Sequence, residues 1–60
     1  MLYTKGEFHN EFGEVVGKFW YRPSTMSYTR IWHGLRSEGW TLEGLKKWAD
    51  KLEYYLVATE

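Results

Sequence analysis

Ser24-Thr25-Met26-Ser27-Tyr28-Thr29-Arg30-Ile31-Trp32-His33-Gly34-Leu35-Arg36-Ser37-Glu38 is the stretch on which the reading of this 60-residue chain turns. Tyr28, Ile31, Trp32 and Leu35 recur at steps of three, one and three, the spacing of one helical stripe. Ser24, Thr25 and Ser27 can each cap a helix N-terminus with a side-chain oxygen. The stretch therefore predicts a helix over 24–38. Its local support is weak, because Thr29 and Ile31 are β-branched and Gly34 costs about 1 kcal/mol relative to Ala. Packing must hold it.

Working outward on the C-terminal side, Gly39 fits the residue that stops a helix in a left-handed turn, which places Trp40 against Leu35. Thr41 then fits the N-cap of a second helix, with Trp40 and Leu45 spaced as a hydrophobic staple. Over 41–57, Leu45, Ala49, Leu52 and Leu56 step by four, three and four, widened by Leu42, Trp48 and Tyr55. Glu43, Lys46, Lys47, Asp50, Lys51 and Glu53 take the other side. Trp40, Leu45, Leu52 and Leu56 read as structural, with Trp48 at the margin of the stripe.

On the N-terminal side Pro23 closes a β region, since it has no N–H for a ladder. Residues 1–22 read as a hairpin whose turn lies at His9-Asn10-Glu11-Phe12-Gly13. Alternation puts Val15, Gly17, Phe19 and Tyr21 on one face and Val16, Lys18 and Trp20 on the other. In the first strand Leu2, Thr4, Gly6 and Phe8 oppose Tyr3, Lys5 and Glu7. Gly6 and Gly17 inside strands indicate bulges or close backbone approaches, and a three-stranded sheet with extra turns near them is the alternative. The expected fold class is α+β, one domain over 1–60: a small antiparallel hairpin or sheet packed by two C-terminal helices.

Twelve residues are aromatic (four Trp, five Tyr, three Phe) and none is Cys. So short a chain cannot bury a large core, and large rings substitute for the disulfides that usually staple such domains. The rings exceed what a minimal core needs, which directs some of them outward as a contact surface. Eight Lys and Arg balance eight Asp and Glu. The balance is segregated: residues 15–37 carry Lys18, Arg22, Arg30 and Arg36 without an acid, while both ends are acidic. No stretch reaches the roughly 20 apolar residues of a membrane span, and Met1-Leu2-Tyr3 lacks a signal-peptide opening. A cytoplasmic protein without a membrane partner is the expectation.

Catalysis is disfavoured. There is no Cys nucleophile, His9 and His33 are the two available imidazole bases, no phosphate loop appears, and no cofactor is implied. Glu7, His9 and Glu11 alternate, so an extended strand would offer three metal-ligand types on one face; solvated polar residues near a hairpin tip explain them more simply. Lys18, Trp20, Tyr21, Arg22, Tyr28, Arg30, Trp32, His33 and Arg36 interleave rings with cations, the combination that binds single strands.

Leu35-Arg36-Ser37-Glu38-Gly39-Trp40-Thr41-Leu42-Glu43-Gly44-Leu45 resembles the first helix and turn of helix-turn-helix regulators. That family needs a recognition helix, which the uninterrupted 41–57 stretch does not supply, so the DNA-reading role does not carry over.

The sequence is therefore read as a non-catalytic protein-binding domain, a stoichiometric inhibitor or adaptor of the kind bacteriophage and mobile elements encode. Nucleic-acid binding is the alternative. Lys18, Trp20, Arg22, Arg30, Trp32 and Arg36 are the candidate contact residues, since Trp, Tyr and Arg dominate interface hot spots. A second copy is the first partner to consider, because association enlarges a core too small for one chain.

Overall fold

The computed structural model describes residues 4–59. It contains strands β1 (Lys5–His9), β2 (Val15–Arg22), β3 (Ser27–Trp32) and β4 (Leu35–Trp40), helix α1 (Leu42–Lys51) and strand β5 (Tyr55–Ala58). One five-stranded sheet has the order β4-β3-β2-β1-β5, and every pairing is antiparallel. Four strands run as a meander; α1 then carries the chain back across the sheet so that β5 lies beside β1.

The helix expected over 24–38 is not formed, and a sheet packed by two helices is corrected to a five-stranded sheet packed by one. Residues 24–38 instead supply a turn, β3 and most of β4. The reason is visible in the chain: Tyr28, Thr29, Ile31 and Trp32 favour a pleated, half-buried surface. His33 and Gly34 have φ of 51° and 74°, the two positive values that a two-residue hairpin turn requires. Gly34 reads as a helix defect only so long as the stretch is taken for a helix. The supposed helical stripe is divided, with Tyr28 and Trp32 on one face of β3 and Ile31 on the other.

The second expected helix is shortened. Thr41 is the N-cap, its Oγ1 accepting from Gly44 N at 3.0 Å, but α1 ends at Lys51. Leu52 caps it, donating its N–H to the Ala49 and Asp50 carbonyls, and Glu53 turns the chain at φ 61°. Leu52 is 39% exposed, contrary to its expected place in the core. Leu56 packs on the core from β5 rather than from a helix. Gly39 (φ 81°) lies within β4, where the register with β3 shifts between Tyr28 and Arg30. Trp40 thus ends a strand rather than joining two helices, and the helix-turn-helix likeness has no first helix. Leu2 and Tyr3 fall outside the described residues.

α1 covers one face of the sheet. Phe8, Phe19, Leu45 and Ala49 are fully buried there and Tyr28 nearly so, with Tyr21, Trp40, Leu42, Trp48, Tyr54 and Leu56 around them. The alternation read in 15–22 places Gly17, Phe19 and Tyr21 on this side. A Cβ on Gly6 would sit 2.5 Å from Phe19 Cζ and 2.5 Å from the Val57 carbonyl oxygen. Gly6 is therefore a close backbone approach in the middle of β1.

Candidate binding face

The register defines the opposite face strand by strand. On β2, Lys18, Trp20 and Arg22 point away from α1. Lys18 stands between Ile31 of β3 and Glu7 of β1; beyond them lie Arg36 of β4 and Val57 of β5. The next row joins Thr29, Trp20 and Lys5, and Thr59 N donates to the Lys5 carbonyl at 3.0 Å. A central tryptophan is thus ringed by long cationic side chains, with Ile31 and Val57 as apolar neighbours.

Its charges are unevenly satisfied. Glu38 accepts from Arg22 Nη1 at 3.2 Å and lies 3.9 Å from Arg36 Nε, so two guanidinium groups share one carboxylate. The Arg36 guanidinium also lies over the Trp20 ring at 5.7 Å. Glu7 Oε1 is 3.1 Å from His9 Nε2. Lys5 and Lys18 have no ion pair among the described residues. Between them, walled by Trp20, Glu7 and Thr59, is a half-open depression of ≈ 390 Å³. That is near the lower bound for a ligand pocket, large enough for a side chain.

Four of the six expected contact residues, Lys18, Trp20, Arg22 and Arg36, therefore meet on one surface. Arg30 and Trp32 do not. In β3 the even-numbered residues 28, 30 and 32 face α1, because Arg30 pairs with Phe19 and Trp32 with Gly17. Arg30 is enclosed by three tryptophans, its Cζ 4.4 Å from the Trp48 ring, 4.9 Å from Trp40 and 5.7 Å from Trp32. Its Nε is buried without a hydrogen-bond partner among the described residues. Trp48 closes the cluster with edge contacts to Phe8 and Trp32. Most rings that interleave with cations in the sequence thus pack under the helix. Burial, aided by neighbouring Tyr21, holds the Tyr28 phenol above the ordinary tyrosine range.

Lys5, Glu7, Ile31, Glu38 and Val57 belong to this surface although composition did not single them out. Lys5 escaped because it lies in the acidic N-terminal third; its signal is the strand alternation that sets it across from Trp20. Of the alternating trio, Glu7 and His9 come together while Glu11 sits in the β1–β2 turn. No cluster of three or more His, Cys, Asp or Glu able to hold a metal ion forms among the described residues. No helix among them is long and apolar enough to cross a membrane. No family model matches the chain, and neither the curated proteins nor the solved structures yield a match.

Proposed function

We propose that the protein is a non-catalytic binding module whose uncovered sheet face docks on another protein. The observation that carries this reading is the convergence of Trp20, Lys5, Lys18, Arg22 and Arg36 on the side of the sheet that α1 leaves open. A half-buried ring among cations, bordered by Ile31 and Val57, has the make-up of an interface centre with a polar rim. Occupying a partner's surface in this way suits an inhibitor or adaptor.

The test uses a benzophenone photo-crosslinking residue at Val57 on the open face, and separately at Lys47 on α1. A protein adduct of defined mass from position 57, absent from position 47 and lost in Trp20→Ala, is the expected result. Equal labelling from both positions overturns the assignment of the face. The same cations around Trp20 favour a second reading, binding of single-stranded nucleic acid. Quenching of tryptophan fluorescence by oligonucleotides, steeply weakened between about 50 and 200 mM salt, would establish that reading instead.

A further inference from the structure

One apolar group is conspicuously without cover at the far end of the β1–β2 ribbon. Phe12 is 78% exposed, yet the turn that carries it is tightly fixed. Gly13 N donates to the Asn10 carbonyl and Asn10 N to the Glu14 carbonyl, each at 3.0 Å. Asn10 Oδ1 accepts from both Phe12 N and Glu14 N at 2.9 Å. Such doubly bonded Asx turns are rigid, so Phe12 is presented at little further entropic cost. Glu11 and Glu14 flank it: Glu14 is held by Asn10 Nδ2 at 3.0 Å, and Glu11 has no ion pair among the described residues.

The turn is the chemical complement of the depression on the open face. One presents a ring between carboxylates; the other presents a Trp20 wall between the Lys5 and Lys18 ammonium groups, which have no ion pair among the described residues, with the Glu7 carboxylate turned to His9. They cannot meet within one molecule. Four to six residues of strand separate Lys18 from the turn, roughly 13–20 Å at about 3.3 Å per residue, with a register shift between Phe8 and His9 on the way.

We infer that the occupant of the depression is the Glu11–Glu14 turn of a second copy of this chain. Two open faces meet with their β2 strands antiparallel, related by a two-fold axis lying between the sheets and across the strands. Each Phe12 then enters the other copy's site beside Trp20, with Glu11 near Lys5 or Lys18. The arrangement is reciprocal and closed, as a two-fold interface must be. A standard interface of about 800 Å² per partner would cover about a fifth of the 4267 Å² surface, ample for a small dimer. It also explains how a chain of zero net charge keeps acidic and basic regions apart: each answers the other between molecules. This inference rests on the open face being a docking surface, and adds that its partner is the chain itself.

Sedimentation equilibrium from about 1 μM to 0.5 mM, read as a dissociation constant, tests it on the intact chain. A reversible dimer is expected, weakened about tenfold or more by Phe12→Ser and by Lys18→Glu, and restored towards the original affinity in Glu11→Lys/Lys18→Glu. Phe12 and Lys18 are exposed, and unchanged thermal melts confirm that the variants fold. A monomer throughout, or a dimer indifferent to Phe12→Ser, overturns the inference. A monomer that still gives the Trp20-dependent adduct at position 57 with another protein overturns only the second copy as partner. Failure of both leaves neither reading standing.

Discussion

Arg30 and Arg36 both lie over tryptophan rings, on opposite faces of one sheet, and their surroundings differ completely. Arg30 has Trp32, Trp40 and Trp48 about its guanidinium and, among the described residues, no partner for Nε. Arg36 rests over Trp20 alone, half exposed, sharing Glu38 with Arg22. The same pairing of residue types is core material in one case and exposed sheet surface in the other. Composition cannot separate them; strand register does. A cation between rings becomes architecture wherever a helix covers it, and stays exposed to solvent wherever none does.

Neighbouring residues on β2 provide the severest way to break this comparison. Phe19→Ala, on the covered face, should cost about 3–5 kcal/mol, most or all of the stability of a domain holding roughly 3–9 kcal/mol. Trp20→Ala on the open face should cost about 1–2 kcal/mol, the worth of a half-buried ring, and still unfold cooperatively in urea. Equal losses would show that both faces are core.

The arginines come next. Arg30→Ala should destabilise by about 2 kcal/mol through lost ring contacts and stem packing. Arg36→Ala should stay within about 0.5 kcal/mol, as an exposed ion-pair partner does. Denaturant midpoints compared in parallel would settle the order, and an inverted order would overturn the division of the faces.

Thr29 sharpens it further. Its hydroxyl is fully buried beside Trp20 and has no hydrogen-bond partner among the described residues. Thr29→Val, which keeps the shape and removes the orphan, should raise stability by about 1 kcal/mol. A destabilised variant would mean that the hydroxyl finds a partner in solution.

The smallest effect is Tyr28's. Its phenol is held above the ordinary tyrosine range first by burial and then by Tyr21. The folded protein therefore keeps a proton that the unfolded chain gives up. The stability this supplies is fully present below about pH 10 and is lost as pH rises through the folded value. Tyr28→Phe should flatten that alkaline decline, which melting curves between neutral pH and about pH 11 would reveal.

Part of this organisation was legible in the chain. Alternation over 17–22 gave the correct faces for Gly17, Phe19 and Tyr21 against Lys18 and Trp20, and Thr41 announced a helix start by its capping oxygen. Val15 and Val16 were read the wrong way round, because beside the register shift at Phe8–His9 it is Val16 that packs against the core while Val15 is 51% exposed. Residues 24–38 misled because Tyr28, Ile31, Trp32 and Leu35 satisfy a helical spacing as well as two short strands around His33–Gly34. Only pairing with β2, which lies outside the stretch itself, decides between them. The end of α1 carries no glycine or proline: Glu53 makes the turn in a left-handed conformation that such residues rarely adopt, so the four-residue β5 had no punctuation to announce it. Which candidate residues share the open face was legible only in part, for a related reason. A basic stretch can be seen in composition, but that even-numbered residues face outward in β2 and inward in β3 follows from the turn between them.

The return of β5 to β1 also fixes an order of events in time. β1–β2, β2–β3 and β3–β4 are neighbours in the chain and close over short loops, whereas β1–β5 joins residues about 50 apart and must await α1. Local pairings form readily and distant ones slowly. The meander is thus the earlier structure, with one greasy side bare until α1 and β5 settle together over Phe8 and Phe19. In that interval the chain presents two uncovered faces, and its vulnerability to aggregation is set by how quickly ten helical and four strand residues arrive.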